Sequence, residues 1–238
     1  MKDMMIDLEA LGKQTNGVVL QLGAVYFDRK TGEMGPDFSY NIRIDDCRAK
    51  GLEVDGDTIR WWLNQSKEAR EAVFKNARDL GWVLAKFREF YTKETKVWCH
   101  TSFDICHLLS AYEAIGEKPP FAWWDSRDIT TLEDLSPVES VEIEETGVKH
   151  NAIDDCKNQI AYVVKHFKKL KASVRDVIKK WKIVLEGGSE FEYLTEKRAR
   201  DELGRHGPKP KKMYSVVYVY TDGRWIEDEV KIIWEAEK

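Results

Sequence analysis

Two carboxylates set two residues apart inside an apolar run constrain this chain more than any other feature. The run Met4-Met5-Ile6-Asp7-Leu8-Glu9 reads as a short buried strand. On a strand, alternate residues project to one face, so Asp7 and Glu9 stand side by side. Burying two like charges together is costly unless a cation neutralises them. A plainer reading is an acidic pair facing solvent at a strand end. Alone, an Asp-x-Glu pattern favours that plainer reading.

The pattern around this strand predicts a sheet with helices packed on it. Val18–Asp28 and Phe38–Ile44 read as further strands, joined through Asp28-Arg29-Lys30-Thr31-Gly32 as a hairpin meander. Residues 57–92 look helical, with apolar positions at three- and four-residue steps: Trp61, Trp62, Ala69, Val73, then Trp82, Val83, Phe87 and Phe90. Lys96–His100 is a compact strand. Phe103–Ile115 is an amphipathic helix that stops before Gly116 and two prolines. Residues 121–128 suit another short strand, 137–149 an acidic loop, and Asn151–Lys171 a long helix. The order βββ-α-β-α-β-α implies a mixed α/β sheet.

From about Ser173 the character changes. Lys165–Lys182 carries eight basic residues against one acid, Asp176. Glu186-Gly187-Gly188-Ser189 suits a linker, and Leu194–Leu203 a helix broken by the run Gly204–Lys212. Tyr214–Tyr220 and Trp225–Trp234 read as strands around Thr221-Asp222-Gly223-Arg224, where Asp-Gly signals a hairpin. The chain therefore divides into a domain at 1–172 and a small C-terminal α+β appendage at 173–238.

Composition narrows the classes. The 238 residues are 42% hydrophobic and 34% charged, enough for a sizeable core under an ionic surface. The net charge of −4 gives no bulk signal for nucleic-acid binding, which must come from local patches. Cys47, Cys99, Cys106 and Cys156 form no Cys-x-x-Cys pair, which speaks against zinc knuckles and disulfide frameworks, and Cys99 and Cys106 sit in apolar runs that suit the buried thiols of a cytoplasmic protein. The N-terminus mixes acids with its first apolar residues, unlike a secretory leader. No apolar run approaches the ~18 residues of a membrane span.

Two more acidic positions carry chemistry. Phe103-Asp104 follows the strand at 96–100 and opens a helix, where an aspartate is usually a cap. His150-Asn151-Ala152-Ile153-Asp154-Asp155 opens the long helix, where acids suit the helix dipole. Each is ordinary alone. Together, in this order and context, IDLE, SFDICHL and HNAIDD resemble the three exonuclease motifs of the DEDDh class of the DnaQ-like superfamily. The segment Thr58-Ile-Arg-Trp-Trp-Leu-Asn-Gln-Ser-Lys-Glu-Ala-Arg and the element Trp124-Asp-Ser-Arg-Asp-Ile-Thr-Thr are similar to one branch. That branch contains phage exodeoxyribonuclease A and mycobacterial exoribonuclease-like proteins. The resemblance spans roughly residues 4–170; the appendage lies outside it.

The resemblance implies an RNase H-like mixed five-stranded sheet flanked by helices, and 3'-5' exonuclease activity on single-stranded DNA or RNA. A phosphodiester is anionic, so its hydrolysis needs help against charge repulsion. Two divalent ions about 3.5–4 Å apart can clamp the attacking and leaving oxygens. Hard ions such as Mg²⁺ or Mn²⁺ prefer carboxylate oxygens. In the family's scheme Asp7 bridges two such ions, Glu9, Asp104 and Asp155 complete the site, and His150 takes the proton of the attacking water. An unperturbed histidine pKa of ~6.5 suits that task.

Leu8, Ala10, Leu11 and Phe103 are candidates to stack on or wedge the terminal bases. Trp61 is a further candidate; Trp61 and Trp62 are neighbours on a helix, so at most one faces the cleft, and the other, or both, belong to the core. Arg127 suits a phosphate contact or an ion pair with Asp125 or Asp128. The family's glycine before motif II is replaced by Cys99-His100-Thr101-Ser102, which narrows the cleft or brings a second histidine to it. Thr130-Thr131 stands where the family often has Arg-Thr. The basic runs Lys165–Lys182 and Arg198–Lys212 suit either a grip on the nucleic-acid backbone or a solvated face, and an exposed hairpin edge in the appendage offers a route to a homodimer. Two competing functions remain at this stage: a binding module that kept the fold without turnover, and an RNase H-like endonuclease, which the histidine of HNAIDD and the Phe-Asp of SFDICHL disfavour.

Overall fold

The acid-bearing run is the middle strand of a five-stranded sheet. The computed structural model describes residues 2–136 and 141–170 in full, and the backbone of 171–175, 178–185, 190–193, 210–221 and 224–235. The chain divides into two compact units, Met1–Lys169 and Leu170–Lys238. In the first, β1 (Asp3–Ala10), β2 (Val19–Phe27) and β3 (Met34–Asn41) are followed by four helices. These are α1 (Ile44–Ala49), α2 (Gly56–Leu63), α3 (Lys67–Phe74) and α4 (Leu80–Phe90). Then come β4 (Lys96–Cys99), α5 (Asp104–Ala114), a 3-10 turn (Trp123–Asp125), β5 (Ser126–Asp128), α6 (Ile129–Leu135) and α7 (Ala152–Arg175).

The sheet order is β3-β2-β1-β4-β5, antiparallel from β3 to β1 and parallel from β1 to β5. This is the mixed, RNase H-like sheet that the sequence implies. Strand alternation gives it two different faces. Met4, Ile6 and Leu8 join Leu20, Leu22 and Ala24 in one continuous core with Trp62, Leu84, Phe87, Leu108 and Tyr112 from the helices. The opposite face receives α7: Cys156 Sγ lies 3.8 Å from the Met5 carbonyl, and Gly23 meets Ala152 so closely that a Cβ there would stand 2.6 Å from the Ala152 carbonyl carbon. That close approach sets the start of α7 directly over β1 and β2.

The structure refines several boundaries. The third strand ends at Asn41 rather than Ile44, because Asn41 Nδ2 donates to the carbonyls of Ala72 and Lys75. The chain then turns into α1, a short helix that residue periodicity did not reveal. The helical stretch 57–92 is three helices. Ser66 caps α3 by accepting from Ala69 N–H, and Asn76 adopts a left-handed φ of 55° before α4. Residues 121–128 are only partly strand, and α6 follows where none was expected. Its β-branched start has low intrinsic helix propensity, and the Asp128 cap accepting from Thr131 N–H compensates.

The second unit holds β6 (Ile178–Leu185), β7 (Glu190–Tyr193), β8 (Pro210–Thr221) and β9 (Arg224–Glu235) in the order β7-β6-β8-β9, all antiparallel. The expected β8–β9 hairpin is present, with Thr221 paired to Arg224. β6 occupies part of the basic run, where lysines alternating with Ile178, Trp181 and Ile183 hid a strand. The predicted linker Glu186–Ser189, the helix Leu194–Leu203 and the turn residues Asp222-Gly223 lie outside the described residues. Among the described residues no helix is long and apolar enough to cross a membrane.

Candidate active site

Four carboxylates converge where the middle strand, the start of α5 and the start of α7 meet. Asp7 and Glu9 lie on the α7 face of β1 and are each only 8% exposed. Asp104 is 2% exposed and is not an N-cap. Instead its carboxylate accepts from the Leu8 N–H at 3.1 Å and the His100 N–H at 2.8 Å, which fastens the turn after β4 to β1. Asp155 lies in the first turn of α7 and accepts from the His150 N–H at 3.0 Å. Its neighbour Asp154 turns the other way and closes the loop, accepting from Val148 N–H and Asn151 Nδ2.

The loop before α7 delivers the histidine. His150 holds a left-handed φ of 63°, uncommon for a residue with a Cβ. The first N–H of α7, from Ala152, is received by Gln21 Oε1 at 2.8 Å, and Gln21 pairs with Glu9 across β1 and β2. Ligand atoms from Glu9, His150 and Asp155 lie within 4.8 Å of one another.

The electrostatics follow from crowding. Burial, then the charges of Asp104, Glu9 and Asp155, push Asp7 well above the usual carboxylate range. Burial, with Asp155 and Asp104, lifts Glu9 to about 8. Burial lifts Asp104 to about 7 even though two N–H groups donate to it. Asp155 is raised by burial too, whereas burial and Lys149 lower His150. No lysine or arginine forms an ion pair with any of these four acids among the described residues. A set of oxygen donors held together without a protein cation is what a hard divalent ion fits.

Two clefts border the carboxylates, one at Glu9 and the other at Asp155. One, of about 360 Å³, is lined by Glu9, Ala10, Lys13, Thr58, Trp61 and Phe103. The other, of about 390 Å³, is lined by His100, Lys149, Asp155, Asn158, Gln159 and Tyr162. Trp61 is 43% exposed in the first cleft, while Trp62 is 2% exposed and donates its Nε1–H to the Ala10 carbonyl at 2.9 Å. Of the residues expected to meet substrate, Ala10, Phe103 and Trp61 line this cleft. Leu8 does not: strand alternation turns it into the core. Leu11 is buried and faces a different, apolar groove with Ile59 and Phe74. Arg127 donates to the carbonyls of Trp124 and Ser126, and neither Asp125 nor Asp128 pairs with it: Lys96 takes Asp125, and Thr101 and Thr131 take Asp128.

Sequence reading missed Gln21 and Gln159. The signal was present in both: Gln21 is the polar interruption of an apolar strand, and Gln159 stands four residues beyond Asp155 on one helix. His100, standing where the family has a glycine-containing turn, does line the second cleft, with Thr130 Oγ1 3.4 Å from its Nδ1.

A family model described as the 3'-5' exoribonuclease Rv2179c-like domain matches residues 2–167. An exodeoxyribonuclease of Enterobacteria phage T4 is 24% identical over 203 residues, spanning 67% of this chain and 86% of the phage protein. Among solved structures, the nuclease domain of 3'hExo, a DEDDh family member bound to rAMP, aligns with a TM-score of 0.49 and 17% identity, covering 69% of this chain and 90% of that one. Exonuclease X in complex with 5' overhanging duplex DNA aligns with a TM-score of 0.45 and 16% identity, over the same shares of the two chains.

Proposed function

The chain belongs to the 3'-5' exoribonuclease Rv2179c-like family and is a 3'-5' exonuclease, and from that premise we propose that Asp7, Glu9, Asp104, Asp155 and His150 are its catalytic centre. Enzymes of the family use divalent metal ions. The observation that carries the assignment is the convergence of three buried carboxylates, Asp7, Glu9 and Asp104, and the half-buried Asp155 beside one histidine, with no cationic partner among the described residues. On this reading two ions, Mg²⁺ or Mn²⁺, are held by Asp7, Glu9, Asp104 and Asp155. When bound they supply positive charge against the phosphodiester and make water a better nucleophile.

The chain's own residues do the rest. His150, held at the mouth by its left-handed backbone, accepts the proton of the attacking water. Its lowered pKa keeps the ring neutral and ready to accept at neutral pH. The N–H groups of Leu8 and His100 hold Asp104 in one orientation. Trp61 and Phe103, one from α2 and one from the turn before α5, offer ring faces to the terminal base. Lys13, beside Asp57 in one cleft, and Lys149, beside Glu133 and Glu145 in the other, each offer a local phosphate contact within an otherwise acidic lining. The substrate is the 3' end of single-stranded DNA or RNA. A cytoplasmic setting, where thiols stay reduced, suits the four free cysteines. Residues 1–172 would form the catalytic domain and 173–238 the appendage. β7 and β9 are the outer strands of the second sheet, and pairing along such an edge would give a homodimer; sedimentation at two concentrations tests it.

The activity test uses 3'-labelled and 5'-labelled single-stranded DNA and RNA with Mg²⁺, Mn²⁺ or EDTA, beside an Asp7→Ala control. Stepwise loss from the 3' end that requires metal and Asp7 supports the assignment, and the preferred strand names the sugar. Shortening that survives Asp7→Ala would move the centre elsewhere.

A further inference from the structure

Three of the four carboxylates differ in how the protein holds them. Asp104 takes two backbone N–H groups and Asp155 takes one. Asp7, the most crowded of the four, receives a single hydrogen bond among the described residues, and it comes from a side chain. Gln159 Nε2 donates to Asp7 Oδ1 at 2.7 Å. Gln159 is four residues beyond Asp155 on α7, so the two project to the same helix face. The other half of its carboxamide is unsatisfied: Oε1 is buried and has no partner among the described residues.

That arrangement is poor for folding. A buried acceptor without a donor destabilises, and an apolar side chain of similar size would avoid the cost. Tying α7 to the sheet does not need it either, since Gln21 and Gly23 of β2 hold the start of α7 and Cys156 Sγ meets the Met5 carbonyl of β1. What the carboxamide does uniquely is donate to one oxygen of Asp7. A donor fixed on Oδ1 disfavours rotation about the Cβ–Cγ bond and leaves Oδ2 without a protein donor among the described residues, in a carboxylate that the charges of Asp104, Glu9 and Asp155 surround.

We propose that Gln159 is a positioning residue that locks the Asp7 carboxylate in its metal-binding orientation, an inference that rests on reading Asp7 as a metal ligand. Donors behind a metal ligand of this kind typically contribute 10- to 100-fold in metal affinity. The role gives opposite signs to two measurements on Gln159→Leu, which removes the donor and the orphaned acceptor together. Metal binding weakens while the metal-free protein does not lose melting temperature.

The test titrates Mn²⁺ into full-length wild type, Gln159→Leu, Gln159→Met and Asp7→Asn by calorimetry, and melts each with EDTA. The expected result is Mn²⁺ binding weakened by roughly 10- to 100-fold in Gln159→Leu and Gln159→Met, with EDTA melting temperatures at or above wild type. At a fixed sub-saturating Mn²⁺ level kcat falls and KM for the oligonucleotide holds. Adding Gln159→Leu to Asp7→Asn should change Mn²⁺ binding no further, because the two act through one carboxylate. Wild-type Mn²⁺ affinity in both Gln159 variants overturns the proposal. So does a lowered EDTA melting temperature with unchanged Mn²⁺ affinity, which marks a structural tie. If Asp7→Asn binds Mn²⁺ as wild type does, the reading of Asp7 as a ligand fails first and takes the proposal with it.

Discussion

The indole of Trp61 stands edge-on to the imidazole of His150, with ring centroids 4.7 Å apart and planes at 72°. Trp61 thus does two things from α2: it offers an exposed aromatic surface to the cleft beside Glu9 and braces the ring of His150. Trp61→Ala should lower kcat/KM by roughly 5- to 150-fold, the equivalent of about 1–3 kcal/mol of base stacking, while Trp61→Phe keeps most of it. The residue is 43% exposed, so the melting temperature should move little. Steady-state kinetics on a labelled oligonucleotide would decide; unchanged kcat/KM in Trp61→Ala would remove it from the site.

If His150 is the proposed proton acceptor, one substitution there separates stability from catalysis. Its φ of 63° belongs to the left-handed region, which asparagine adopts more easily than most residues. His150→Asn should therefore fold at least as well as wild type and lose about 10²- to 10⁴-fold in kcat. Retained activity would assign the proton transfer to another group, such as His100, which lines the neighbouring cleft.

The crowded acids make metal-free stability depend on pH with a definite sign. Glu9 has an ordinary value of 4.5 and is raised to about 8, and Asp104 an ordinary value of 3.8 raised to about 7. Below the ordinary values folded and unfolded chains both carry the protons. Between them the unfolded chain releases protons that the folded chain keeps, so stability falls as pH rises towards about 8. His150 and His166 are lowered from 6.5 and act in the opposite direction below that pH. Glu9→Gln therefore isolates the effect: in EDTA its melting temperature should fall less between pH 6.5 and pH 8 than that of wild type. Each kcal/mol corresponds to about 2–4 °C for a chain of this size. Mn²⁺ should recover most of the wild-type loss. A wild-type curve that climbs through this range in EDTA would contradict the burial of these acids.

Gly23 sits opposite Asp7 on β2 and beneath Ala152. A Cβ at this glycine would lie 2.6 Å from backbone carbon of α7, which cannot yield as a flexible side chain would. Gly23→Ala should destabilise by about 1–3 kcal/mol and cut activity disproportionately, because lifting the start of α7 carries Asp155 and His150 with it. Comparing the melting temperature with kcat at a temperature where the variant is fully folded checks this. A stable variant with full activity would show that the helix start can shift without cost.

How far the sequence reached depended on whether the information was local. The strand of Asp7 and Glu9 was legible because the alternation rule acts on neighbours. The hairpin at Thr221–Arg224 was legible because Asp-Gly has few backbone options. α1 and α6 were not, since short helices take their stability from caps and packing rather than from periodicity. Leu8 illustrates the limit in the other direction. Its position beside two catalytic candidates suggested substrate contact, yet the same alternation that aims Asp7 and Glu9 at the centre aims Leu8 away from it.

The sequence by itself determined the residue types of the proposed centre, their order along the chain and the element or loop each one rides on, because backbone alternation, helix starts and turn chemistry are local properties. Only the tertiary structure decided that Asp154 turns away to close its own loop, that Trp62 is taken up by the core while Trp61 lines the cleft, and that Gln21 and Gln159 brace the proposed centre across the fold. Those choices are made by packing between elements separated by up to 152 positions, as between Asp7 and Gln159, and no local rule contains them.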